Sequence, residues 1–274
     1  MQDIETRNSP FQCIETNFDI TAVKLDSTAT ALAIGDCDSK VVIHDAETEQ
    51  KIRTISAHTQ RVTAMDWSDT TPYLVTSGSS DGLIINHDVR QRHSAINILE
   101  GHEGQLTNIR YFNRNQLVTT SHEDAVMAVW DCFLTSPSCE STELESPIRS
   151  LDCSGDKLVT CSNEIIQMWR GSENLHQLKC ASNVTSVLWN SDSSEVVSTH
   201  DSARHEIKLW QVDKVPNRKE SPYWFTKVKD FGECHQDSVI RTCLSPSGEH
   251  VCAVAADETI SLWRLFDKKR RQTT

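Results

Sequence analysis

An all-β fold, a ring of six short four-stranded sheets, is what this 274-residue sequence predicts. Three observations carry the prediction. Six segments end in a short apolar run, a bulky ring and a polar residue: KVVIHD (40–45), LIINHD (83–88), AVMAVWD (125–131), IIQMWR (165–170), EIKLWQ (206–211) and TISLWR (259–264). Their ring residues, His44, His87, Trp130, Trp169, Trp210 and Trp263, are 43, 43, 39, 41 and 53 positions apart. Ahead of each lie two more short runs rich in β-branched residues, with period-two alternation and turn residues between them.

That spacing is the four-strand period of a WD-type β-propeller blade, about 40–45 residues. The first strand of each unit reads ITAVKL (20–25), VTAMDW (62–67), LTNIRY (106–111), IRSLDC (148–153), VTSVLW (184–189) and VIRTCL (239–244). The second reads ALAIG (31–35), YLVTSG (73–78), QLVTTS (116–121), KLVTCS (157–162), EVVSTH (195–200) and HVCAVA (250–255). The ring-bearing segment is the third. Fourth, outer strands are less regular; KIRTIS (51–56), INILEG (96–101), LHQLKC (175–180) and WFTKVKDF (224–231) fit the role. In the third unit, LTSPSCESTELESP (134–147) reads instead as an acidic loop insertion. The last unit has no outer strand of its own. FQCIE (11–15), ahead of the first unit, is expected to supply it and close the ring, which would bury strand edges otherwise free to pair between molecules. The expected organisation is a short polar N-terminus (1–10), a WD-repeat propeller (11–266) and a basic C-terminal tail (267–274).

A second regularity fixes the register. Six residues before the ring positions stand Asp38, Asp81, Asp124, Asn163, Arg204 and Asp257. In three units a histidine also precedes the ring by 28 or 29 residues: His58, His102 and His235. A turn aspartate accepting a hydrogen bond from such a histidine ties two loops of one blade together, while the tryptophan buries apolar area and its N–H needs a partner. These His/Asp/Trp sets imitate a catalytic constellation. Their recurrence marks them as structural, because catalysis needs such a set only once.

Composition removes several function classes. With 27 basic and 39 acidic side chains the formal net charge is -12, which disfavours a nucleic-acid binder or an anionic membrane surface as partner. No apolar run approaches the ~18 residues of a spanning helix, and the polar N-terminus shows no secretory signal. None of the ten cysteines forms a Cys-x-x-Cys pair and no Cys/His cluster has zinc spacing, so no metal is expected and the thiols read as small buried hydrophobes. No Gly-rich phosphate loop or nucleophile elbow occurs, so no cofactor, catalytic residue or enzymatic activity is expected.

Several stretches resemble the fizzy and fizzy-related proteins, WD-repeat activators of the anaphase-promoting complex, a ubiquitin ligase. They are SGSSDGLIINHDVR (77–90), with histidine in place of the ring Trp, AHTQRVTAMDW (57–67), STHDSARHEIKLW (198–210) and VAADETISLWRLF (254–266). The resemblance spans roughly residues 17–266. It implies a non-enzymatic adaptor that presents degron-bearing substrates such as cyclins to the complex, with its subunits as partners and the nucleus and cytoplasm as location. Asp257 and Glu258 match the family's acidic pair beside the last blade, where the arginine of a destruction box binds. At the family's Lys-Glu-Asn-box pocket this chain carries Glu123, Ala125 and Ser238, none of them the family's residue, and Arg204 falls in the unusual fifth turn. Alanine offers no amide and Glu123 would repel the peptide's glutamate.

The family ring has seven blades, and the units here match its second to seventh. Its first blade, one wall of the destruction-box groove, has no counterpart; neither do its N-terminal docking motif and its terminal Ile-Arg. The chain therefore reads as a divergent or truncated member, with a non-activating scaffold or competitor as the alternative. Ser-Pro pairs at Ser9, Ser136, Ser146 and Ser221 read as turn chemistry ahead of phosphorylation sites. KKRR (268–271) reads equally as a solvated tail or a nuclear import patch.

Overall fold

A computed structural model describes residues 16–91, 95–112, 116–131, 138–201, 206–214, 223–233, 235–245 and 247–266. The six repeat units become six consecutive antiparallel sheets. The first comprises β1 (Ile20–Leu25), β2 (Ala31–Asp36), β3 (Lys40–Asp45) and β4 (Lys51–Ser56). The second holds β5 (Val62–Trp67), β6 (Leu74–Ser79), β7 (Ile84–Asp88) and β8 (Ala95–Leu99). Next come β9 (Leu106–Phe112), β10 (Gln116–Ser121), β11 (Val126–Asp131) and β12 (Ser138–Glu143). The fourth sheet is β13 (Ser150–Ser154), β14 (Lys157–Ser162), β15 (Ile165–Arg170) and β16 (Glu173–Lys179). The fifth is β17 (Asn183–Trp189), β18 (Glu195–Asp201), β19 (Glu206–Lys214) and β20 (Tyr223–Glu233), and the sixth β21 (Val239–Leu244), β22 (His250–Ala255) and β23 (Ile260–Arg264).

Five sheets are four-stranded and the sixth has three strands among the described residues. Residues 11–15, the expected closing strand, lie outside them, as do 1–10 and 267–274. One expectation is corrected. The stretch 134–147 is not a loop throughout: β12 pairs with β11 from Val126↔Glu143 to Asp131↔Ser138. An outer strand needs only its backbone ladder with one neighbour, so the acidic Ser/Thr-rich segment SCESTE serves there without an apolar pattern.

Blades adhere because each buries both sheet faces on its neighbours. Residues three and one before the ring position point toward the following blade. Val41, Ile84, Met127, Ile166 and Ile207, three before it, are 0–1% exposed. The first strand faces the preceding blade with its first, fourth and sixth residues, as in Val62, Met65 and Trp67 of β5, all 6% exposed or less. Between blades, Trp67 Nε1 donates to the Lys24 carbonyl at 3.0 Å and Thr63 Oγ1 to that of Leu106 at 2.7 Å.

A second tie runs around the channel at one level of the first strands of successive blades. There Lys24, Asp66, Arg110 and Asp152 alternate in sign, with Lys24–Asp66 at 2.9 Å, Arg110–Asp66 at 3.8 Å and Arg110–Asp152 at 3.4 Å. Each aspartate also accepts a backbone N–H from a following blade: Tyr111 N at 2.9 Å for Asp66 and Trp189 N at 2.8 Å for Asp152. Burial pushes the Asp152 carboxyl upward, with Arg110 pulling against it.

The two terminal faces differ from all others. On the sixth blade Ile260 is 72% and Leu262 53% exposed, and Val254 and Cys243 share that exposed face. On the first blade Ile20, Val23 and Leu25 are 48%, 53% and 45% exposed, where the equivalent residues of the second blade are buried. The described residues therefore form a six-blade arc with an apolar sheet face at each end. Ile84→Lys should cost more than about 4 kcal/mol because it buries an unpaired charge, whereas Ile260→Lys at the equivalent position should stay within about 0.5 kcal/mol of the parent. Urea unfolding of the two variants checks this; equal losses would mean that the sixth face is covered.

Candidate functional site

The His/Asp pairs form as their spacing predicts. His102 Nδ1 lies 2.9 Å from Asp124, its Nε2 lies 2.8 Å from Thr119 Oγ1, and Trp130 Nε1 donates to the same hydroxyl at 2.8 Å. In the second blade His58 Nδ1 is 3.3 Å from Asp81, and Ser77 Oγ sits 2.8 Å from both His58 Nε2 and His87 Nε2. The proton assignment follows from these partners. His58 donates from Nδ1 to the carboxylate, its Nε2 accepts the Ser77 O–H, and Ser77 accepts from His87 Nε2–H. His87 thus donates where Trp130 does, which is why an imidazole can stand in for the indole. Its Nδ1 is buried with no partner among the described residues, and burial holds this histidine down at about 3.

Hydroxyls serve the same role elsewhere. Trp169 Nε1 donates to Thr160 at 2.9 Å, and Trp210 Nε1 to Ser198 at 2.7 Å. Ser198 also meets His200 Nε2 at 2.8 Å, and burial lowers His200 to about 4. In the sixth blade His235 Nδ1 lies 2.9 Å from Thr259 Oγ1 and 3.3 Å from Asp257, but Ala253 replaces the hydroxyl, and His235 Nε2 is buried with no partner among the described residues. These sets are fasteners within blades, and all their members are consumed in holding turns.

The Asp-Val-Arg that follows His87 is a second fastener. Asp88 is buried and receives Arg90 Nε at 3.0 Å and Nη2 at 2.8 Å, a bidentate pair, while the guanidinium lies 4.4 Å over the Tyr73 ring.

The proposed degron residues divide by availability. Asp257 stands in the β22–β23 turn, where its oxygens accept Gln236 N at 2.8 Å, Thr259 N at 3.0 Å and Thr259 Oγ1 at 2.6 Å. The Thr259 hydroxyl above all holds this carboxyl well below the usual range. Glu258, next in the turn at φ 62°, is exposed. Glu123 and Ala125 flank Asp124 in the β10–β11 turn; Ala125 has φ 50°, and Glu123 crowds Gly104 so closely that a Cβ there would clash with it. Ser238, before β21, donates to Asp201 at 2.9 Å. Arg204 lies outside the described residues. Of these positions Ser238 lines the mouth of the channel, beside His122 of the β10–β11 turn. Sequence reasoning missed Arg149 and Arg241 of that mouth, whose only signal was a cation at the second or third position of a first-strand pattern.

Two expectations follow. Ala253→Ser supplies the missing hydroxyl to His235 and should add roughly 0.5–1.5 kcal/mol, read as a raised urea midpoint. His87 and His200 resist protonation when folded but titrate near 6.5 when unfolded, so their contribution is complete above that value and is lost as pH falls below it. Moving from pH 7.5 to 5.5 should cost about 1.4 kcal/mol for each, measured by urea unfolding.

The repeat profile "WD domain, G-beta repeat" matches residues 49–88 and 226–264. The WD repeat-containing protein srw1 of Schizosaccharomyces pombe is 28% identical over 263 residues, 93% of this chain and 45% of that protein. The Anaphase-promoting complex subunit cdc20 of Dictyostelium discoideum is 25% identical, over 96% of this chain and 52% of its own length. In Saccharomyces cerevisiae the APC/C activator protein CDH1 is 24% identical, covering 93% and 44%. A chain of the crystal structure of the mitotic checkpoint complex superposes with a TM-score of 0.80 at 25% identity, covering 92% of this chain and 76% of that one. The chain spans about half the length of the curated relatives it matches. Its blades have the WD-type β-propeller fold, and in sequence it is similar to fizzy-related and APC/C activator proteins.

Proposed function

We propose that this chain is a substrate-recruiting adaptor of the anaphase-promoting complex, binding degron peptides in cell-cycle proteolysis. The observation that carries this reading is similarity along nearly the whole chain to several relatives whose names specify that complex or its activation. Substrates of the cyclin kind, ligase subunits as partners, a non-catalytic mode of action and residence in nucleus and cytoplasm belong to the same reading. So does the absence of nucleic-acid and membrane partners; among the described residues no helix is long and apolar enough to cross a membrane.

Within it, Glu258 is the acidic group free to meet a destruction-box arginine, since Asp257 is committed to its turn. The turn adjoins the exposed sixth-blade face, so the peptide would lie beside Ile260 and Leu262. The alternative is a degenerate scaffold or a competitor that binds proteins without activating the ligase.

Glu258→Arg should weaken binding of a labelled destruction-box peptide at least fivefold by replacing attraction with repulsion, measured by fluorescence polarisation. Unchanged affinity removes Glu258 from the site. Co-purification with the ligase separates the two readings: peptide binding without ligase binding establishes the competitor, and loss of both defeats the adaptor.

A further inference from the structure

The sixth blade sets two cysteines side by side. Cys243 of β21 stands directly opposite Cys252 of β22 in their antiparallel register, and both are free thiols. Residues so opposed lie about 4.5–5.5 Å apart at Cα, inside the roughly 4.4–6.8 Å that a disulfide spans, and their side chains leave the sheet on one face. The two sulfurs meet: Cys252 is hydrogen-bonded to Cys243, and burial together with that neighbour pushes the Cys252 thiol up.

The position of Cys252 is a packing position in the other blades. Its equivalents are Ala33, Thr76, Val118, Val159 and Val197, each at most 1% exposed under the blade that follows. In the sixth blade Cys252 is half-buried and Cys243 exposed, on the face they share with Ile260 and Leu262. The expectation of small buried hydrophobes, which holds for Cys161 and Cys180, therefore fails here. A thiol in water adds little to packing, and its chemistry is set by what can reach it.

Two sulfurs alone do not close a metal site, and among the described residues no group of three or more Cys, His, Asp or Glu is placed to hold an ion. We propose that Cys243 and Cys252 form a dithiol–disulfide couple, a reversible modification site whose oxidant is a small-molecule disulfide of the glutathione class. The Cys243 thiolate attacks one sulfur of that disulfide, whose S–S bond breaks and releases one thiolate. The mixed disulfide removes the Cys243 charge that opposed ionisation of Cys252. The Cys252 thiolate then attacks the Cys243 sulfur and expels the second small thiol. The protein gives up two electrons and two protons, and the small disulfide leaves as two thiols. The site needs neither degron nor ligase and stands apart from the adaptor reading.

The test equilibrates the full chain in glutathione buffers of rising oxidised fraction, quenches with acid and maps the thiols by mass spectrometry. Trypsin releases both cysteines in one fragment, residues 242–264, and cleavage at Glu249 parts them. The expected product is a fragment lighter by two hydrogens, whose halves stay joined after cleavage at Glu249 until a reductant is added. It should form at an oxidised fraction at least tenfold lower than the glutathione adduct of Cys37, the exposed thiol of the β2–β3 turn. Cys252→Ser should stop at the glutathione adduct of Cys243, and Cys243→Ser should leave Cys252 reduced where the parent is bridged. Equal thermal midpoints of the reduced proteins will show that both variants fold. A lasting glutathione adduct on Cys243 of the parent, a link from either cysteine to a third thiol, or no reaction at oxidant levels that modify Cys37 would overturn the proposal.

Discussion

A short four-stranded sheet with two apolar faces cannot stand alone in water, and everything else in this molecule follows from how those faces are covered. Each inner blade sits between two others, and positions such as Ile84, Met127, Ile166 and Ile207 are removed from solvent by the blade that follows. At roughly 25 cal/mol per Å² of apolar surface, one such isoleucine or methionine contributes about 1.5–3 kcal/mol. The same packing aligns the inner strands around a channel, which makes possible both the alternating Lys24, Asp66, Arg110 and Asp152 and the mouth above them.

The polar fasteners work within that frame. Each blade must settle one strong donor, the ring N–H of its third strand, in a dry interior. Thr119, Thr160 and Ser198 accept it from an indole, and Ser77 accepts it from His87. The histidine behind the hydroxyl then transmits the tie to a turn aspartate, as His102 does to Asp124. Register and loop position are thereby fixed together. Where one member is exchanged, as at Ala253, the cost shows as a buried nitrogen left without a partner.

Much of this was legible in the sequence, because it repeats. Ring positions, first and second strands and the His58–Asp81, His102–Asp124 and His235–Asp257 pairs recur at fixed offsets, and a pattern that recurs can be checked against itself. Outer strand β12 was not legible: it is held by backbone pairing to β11 and leaves no apolar trace in SCESTE. The alternating charges of the channel were hidden for a different reason, since their partners come from different blades and no single unit shows the alternation. Arg149 and Arg241 likewise reach one mouth only once the arc of blades brings separate strands together. For Asp257 the recurring offset from the ring position already pointed to a turn-tying role, and the turn geometry shows that carboxylate spent there with Glu258 exposed beside it.

Among the described residues the sheet faces at Val23–Leu25 and Ile260–Leu262 have no blade against them, so the six sheets stand as a stack with two ends. In a linear stack each unit is held by its nearest neighbours, so the outermost units have one stabilising contact where the others have two. Opening then proceeds inward from the termini, and amide protons of the first and sixth sheets exchange through these partial openings while the middle sheets wait for the whole domain to unfold. Because the end faces are already hydrated, melting those sheets exposes less new apolar surface, and they add little to the heat-capacity change of denaturation.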